Sequence, residues 1–98
     1  MNFYETIKAL RENKKIPQKK FAALLDIDTP MYSRIERGER PLKREQVEKI
    51  AILLEVDEIR LINLWLAEKV YSIVAEEDNA NEILNIAHEA VVEYSKLK

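Results

Sequence analysis

The sequence predicts an all-α protein. Apolar residues recur every three or four positions along most of the chain, the spacing of one helix face. Chain breakers are few, one glycine and three prolines in 98 residues. No run of eighteen apolar residues occurs, so the expectation is a soluble domain without a membrane span. Cysteine is absent, which excludes a disulfide framework and thiol chemistry. The apolar share of 47% and charged share of 35% are ordinary for a globular helical protein.

The first helix should begin near Phe3, because Asn2 and Glu5 stand in a capping-box relation. Phe3, Ile7 and Leu10 then keep the helical period, and the helix should run to about Lys14. The opening MNFYETIKAL carries acid early and lacks a long apolar core, so it does not read as a signal peptide, and a cytoplasmic location is expected.

Two short helices with a tight joint follow, over Gln18 to Gly38. In the first of them Phe21, Ala22 and Leu25 face one side. Asp26 and Asp28 flank Ile27 at the joint, and Asp28 suits the N-cap of the next helix, its carboxylate accepting the orphan N–H groups. Pro30 stands in the first turn, where a missing donor costs nothing. Tyr32 and Ile35 point inward, while Thr29, Pro30, Ser33, Arg34 and Arg37 point outward. Gly38 falls where a helix ends in a left-handed residue. The implied geometry is helix-turn-helix, its second helix exposed and shaped for a DNA major groove.

A fourth helix should run from about Lys43 to Leu54, with Val47, Ile50, Ala51 and Leu54 as its core stripe. Asp57 caps a fifth, too apolar for a single face: Ile59, Ile62, Leu66, Val70 and Ile73 make one stripe, and Leu61, Leu64, Trp65 and Tyr71 spill onto others. Such a helix needs two partners. After the polar break EEDNAN, Asn79 and Glu82 suggest another capping box. The last helix then carries Ile83, Ile86, Ala87, Ala90, Val91, Tyr94 and Leu97 as an amphipathic stripe.

The run LRENKKIPQKKFAALLDIDTPMYSRIERGERPLKREQVEKIAILLEV resembles the Xre/Cro-type helix-turn-helix family of bacterial and phage repressors. The marks are Leu10 and Arg11, Gln18, Ala22, the set Ser33, Arg34, Ile35, Glu36 and Gly38, then Pro41, Ile50, Ala51 and Leu54. The resemblance covers about residues 1–56. It implies a five-helix lambda-repressor-like domain, here with an extended fifth helix and an added C-terminal helix. It also implies an ion pair between Arg11 and Glu36, base reading by Thr29, Pro30, Ser33 and Arg34, and a phosphate contact at Gln18. The sequence departs from the family at Lys15-Ile16-Pro17, where Lys15 must take an unfavourable φ if the turn is kept. Asp26 stands where glycine is frequent, and aspartate tolerates that geometry better than most residues.

The net charge of −2 hides a division. Residues 1–56 hold 12 Lys/Arg against 9 Asp/Glu, and residues 57–98 hold 4 against 9. A basic first part and an acidic second part suit a DNA-facing end and an end kept from phosphates. Arg37, Arg40, Lys43 and Arg44 make a basic rim after the reading helix and are candidate phosphate contacts. Lys19 and Lys20 are lesser ones.

The chain is therefore expected to divide into a DNA-binding core, 1–56, and a helical extension, 57–98, that forms a homodimer through Ile62, Trp65, Leu66, Val70, Ile73, Ile83, Ala87, Val91 and Tyr94. The expected partner is double-stranded DNA, bound at a palindromic operator by a regulator that acts as a repressor. Members of this family serve as restriction-modification controllers, prophage regulators and antitoxins; length and appended helices fit the controller type somewhat better. The alternative is an antitoxin-type module whose acidic C-terminal helices bind a partner protein. No catalytic residue, cofactor or metal is expected. His88 stands alone, the acidic clusters lack calcium-loop spacing, and there is no nucleophile with a paired base.

Overall fold

A computed structural model describes residues 2–98 and consists, over those residues, of six helices: α1 (Phe3–Asn13), α2 (Gln18–Leu24), α3 (Thr29–Glu36), α4 (Arg44–Leu54), α5 (Glu58–Val74) and α6 (Ala80–Leu97). The described residues contain no strand and no helix long and apolar enough to cross a membrane. The chain divides into two compact units, residues up to Glu68 and residues from Lys69 onward. The first unit takes in more than residues 1–56, because the early part of α5 supplies core residues.

The caps explain most of the helix starts. Asn2 Oδ1 accepts from the Glu5 N–H at 2.8 Å, and its Nδ2 donates to Glu5 Oε1 at 3.2 Å. Asp28 Oδ1 accepts from the Met31 N–H at 2.8 Å. Asp57 Oδ1 accepts from the Ile59 N–H at 2.9 Å. Each satisfies a backbone donor that a first turn leaves unpaired. At α4 the bond is reversed, Gln46 Oε1 accepting from the Lys43 N–H at 2.8 Å. The expected cap at Asn79 does not form: the residue sits at φ −102°, ψ 32°, and its side chain makes no capping bond. Its backbone lies outside the extended region from which a cap reaches forward.

The helix ends share one device. After α1, α2, α3 and α4 the chain passes through a left-handed residue, Lys15 (φ 58°), Asp26 (φ 58°), Gly38 (φ 78°) and Glu55 (φ 57°). At Gly38 its own N–H reaches the Ile35 carbonyl and the Glu39 N–H reaches the Arg34 carbonyl, both at 2.9 Å. The same pair of bonds recurs at Lys15, Asp26 and Glu55. These are Schellman closures, and three of the four stand on residues that carry a Cβ, at a steric cost glycine would avoid.

The core of the first unit joins Phe3 and Ile7 from α1, Phe21, Ala22 and Leu25 around α2, and Tyr32 and Ile35 from α3. Leu42, four residues of α4, and Leu61, Ile62 and Trp65 of α5 complete it. The Phe21 and Tyr32 rings lie 5.3 Å apart, which joins α2 to α3. A methyl group at Gly38 would meet the Tyr4 ring at 3.5 Å, ordinary contact, so the glycine is there for its φ rather than for space.

In α5 the inward set is Leu61, Ile62 and Trp65, at i, i+1 and i+4. The stripe through Ile59, Leu66, Val70 and Ile73 is exposed instead. Ile62 and Trp65, expected at a dimer interface, are 7% and 5% exposed and pack within the core of the first unit. In the second unit Val74 is buried, whereas α6 has no buried residue. Its Ile83, Leu84, Ile86, Val91, Val92, Tyr94 and Leu97 are exposed.

Candidate nucleic-acid interface

Tyr32 and Ile35 bury one side of α3, so the other side is presented outward. Thr29, Pro30 and Arg34 are exposed there, and Ser33 is half-buried. The outer edge is polar and short, with no bulky apolar side chain to keep it from an aqueous groove.

What holds α3 in place is a buried polar cluster. Arg11 Nε donates to Glu36 Oε2 at 2.8 Å and Arg11 Nη2 donates to Glu36 Oε1 at 2.7 Å, a two-pronged pair that ties α1 to the last residue of α3. The side chains are 10% and 2% exposed. Arg11 Nη1 also donates to the Ile16 carbonyl at 2.9 Å, fastening the α1–α2 turn at the point where Lys15 is left-handed. Gln18 Nε2 donates to Glu36 Oε1 at 3.1 Å. Burial pushes the Glu36 carboxyl pKa up, but the hydrogen bonds from Arg11 and Gln18, with the nearby Tyr32 hydroxyl and the Arg11 charge, outweigh burial and hold it below the ordinary carboxylate range. The Tyr32 hydroxyl is buried beside this carboxylate, outside good hydrogen-bond geometry. Burial first, and the neighbouring Glu36 second, push its pKa far above the usual phenol value.

The rim is basic but partly occupied. Arg37 Nε donates to Glu39 Oε2 at 2.8 Å, and Arg37 Nη1 donates to Ser33 Oγ at 2.8 Å. Arg40 Nη2 lies 3.8 Å from Met31 Sδ. Lys43 is exposed at the start of α4, and the Arg44 guanidinium stands 6.0 Å from the centre of the Trp65 ring. Glu39 is held below the ordinary carboxylate range by the Arg37 hydrogen bond, opposed by desolvation and assisted by the charges of Arg37 and Arg34.

Thr29, Pro30, Ser33, Arg34 and Arg37 thus lie on one side of α3, while Arg40, Lys43 and Arg44 lie on the segment leading into α4. Gln18, expected at a phosphate, is half-buried with its amide turned to Glu36, because that carboxylate has a lone pair beyond those Arg11 uses. Its second amide hydrogen is the part left for another acceptor. The sequence reading missed Glu39, whose closeness to Arg37 depends on the chain reversing at Gly38. It also missed the exposed Lys14–Glu55 pair at 3.0 Å. The described residues contain no group of three or more His, Cys, Asp or Glu placed to hold a metal ion.

Among known proteins, the model of a family described as helix-turn-helix matches residues 7–61, more than half of the chain. No curated protein and no solved structure gives a match.

Proposed function

Since this chain belongs to the Xre-type helix-turn-helix family of DNA-binding transcription regulators, we propose that it is a repressor that binds a palindromic operator as a homodimer. The observation that carries this reading is the free polar edge of α3, with Thr29, Pro30 and Arg34 exposed on a helix braced by the Arg11–Glu36 pair. In a homodimer two such helices enter successive major grooves about 34 Å apart.

Arg34 is the principal base reader, its guanidinium bridging guanine O6 and N7 in one plane. Thr29 and Pro30 offer apolar contact to a thymine methyl, and Ser33 a hydroxyl. Arg37, Arg40, Lys43 and Arg44, with the second amide hydrogen of Gln18, supply phosphate contacts that set register and most of the affinity. Repression follows from covering a promoter, and the protein's own concentration sets occupancy.

The dimer contact in this reading uses Leu66, Val70 and Ile73 of α5 and Ile83, Ala87, Val91 and Tyr94 of α6. Support comes from the exposure of these side chains, since helices this apolar require cover. The same observation favours a second reading, an antitoxin-type module in which a partner protein covers α6. Within the family, a restriction-modification controller is the assignment that the helices appended after α4 suit.

Selection of bound duplexes from a random pool tests the proposal. The expected product is a short inverted repeat with half-sites about one helical turn apart. A pool that never departs from random composition would overturn it, and co-purification of a stoichiometric partner protein would favour the second reading.

A further inference from the structure

We propose that Glu39 acts as an internal stand-in for a DNA phosphate, competing for Arg37 and so setting how tightly the protein grips the backbone of any duplex. Two features place it. The left-handed turn at Gly38 and the bond from the Glu39 N–H to the Arg34 carbonyl at 2.9 Å fix its backbone at the end of α3. Its carboxylate then engages Arg37 through Nε at 2.8 Å and Nη2 at 3.4 Å, while Arg37 Nη1 is taken by Ser33 Oγ at 2.8 Å. Three donors of one guanidinium are thereby in use without DNA.

A carboxylate facing a guanidinium with two oxygens offers the geometry that a phosphate offers. A DNA phosphate must therefore displace Glu39, and the freed carboxylate then stands beside the backbone as a repelling charge. Both side chains are more than half exposed, 56% for Arg37 and 55% for Glu39, so water screens the pair and exchange is fast. This competition applies to every duplex alike, so it lowers the affinity for DNA without altering the preference between sequences. The inference rests on the DNA-binding reading above.

The test compares the full-length wild type, Glu39→Gln, Arg37→Ala and the double variant on a labelled mixed-sequence duplex over a range of salt concentrations. Glu39→Gln is expected to tighten this binding roughly three- to tenfold and to steepen the salt dependence by about one phosphate contact. In the Arg37→Ala background the same change should shift affinity less than about twofold, because no guanidinium is left to release. A Glu39→Gln variant that melts with the wild type but binds the duplex no more tightly overturns the proposal. So does an equal gain with and without Arg37, which would reduce the effect to net charge. A wild type that binds no duplex at any salt sinks the DNA-binding reading itself, an outcome distinct from both.

Discussion

Replacing Arg11 by methionine isolates the interaction that fixes α3. The variant keeps the aliphatic volume of the stem and removes the guanidinium, leaving Glu36 with a side chain 2% exposed and without its counter-charge. Breaking one side of a buried pair costs about 3–5 kcal/mol. Here the lower end applies, because Gln18 still donates to Glu36 and the Arg11 side chain is 10% exposed. Loss of the bond to the Ile16 carbonyl adds about 1 kcal/mol. A total near 3–4 kcal/mol is a large fraction of the roughly 5–15 kcal/mol typical of domains. It should lower the melting temperature on the order of 15–25 °C at fixed protein concentration. Urea unfolding followed by circular dichroism measures it.

The loss depends on pH in a stated direction. In the wild type the folded Glu36 pKa lies below its unfolded value, so the stability it brings is present above the unfolded pKa and drains away as pH falls through the folded one. In the variant, burial is left opposed mainly by Gln18 and Tyr32, and the folded pKa moves up. Glu36 then costs stability near neutrality and less as it takes a proton, so the gap between the two proteins should narrow from pH 7 towards pH 4. Adding Glu36→Leu to Arg11→Met should restore much of the loss. A loss under about 1 kcal/mol, or one that does not change when Glu36 is also replaced, refutes the account of the anchor.

Other outcomes follow from the same geometry. Lys15→Gly should stabilise the fold by about 0.5–1 kcal/mol, read by thermal melting, since it relieves a left-handed residue that carries a Cβ; a drop in stability contradicts this. Trp65→Ala should destabilise by about 3–5 kcal/mol in chemical unfolding, as a core residue does. On the proposed homodimer, Ile73→Glu, on an exposed face, should leave the first unit folded and shift sedimentation from dimer to monomer; an unchanged species excludes that face from the proposed contact. Arg34→Ala should relax preference at one base pair by about 1–3 kcal/mol in competition binding. Equal losses on selected and random duplexes would remove Arg34 from base reading.

Local rules carried the helix boundaries. Asn2, Asp28 and Asp57 cap because a short polar acceptor precedes an apolar period, and Gly38 closes α3 because a left-handed residue favours glycine. Lys15 and Asp26 could be read as left-handed only because the resemblance kept their turns. Glu55, with no such guide, was not foreseen. The Arg11–Glu36 pairing joins residues twenty-five apart, beyond any local pattern, and it too came from the resemblance.

The sequence was least legible where a helix is apolar on several sides. Periodicity in α5 shows that Leu61, Ile62, Trp65, Leu66 and Val70 are apolar, not which of them the first unit claims. Packing chose Leu61, Ile62 and Trp65. At the candidate interface the outward set of α3 was readable from the inward pair Tyr32 and Ile35. The side-chain pairing was not: Gln18 turned to Glu36 and Arg37 held by Glu39 depend on which acceptor stands nearest in space.

The most direct test of the central claim is a residue-by-residue map of amide chemical shifts as a selected duplex is added to the labelled protein. The account predicts that the amides of Thr29, Ser33, Arg34 and Arg37 move most, with smaller changes at Gln18 and from Arg40 to Arg44, while α6 stays still. Shifts concentrated in α6, with α3 unmoved at saturation, would contradict it.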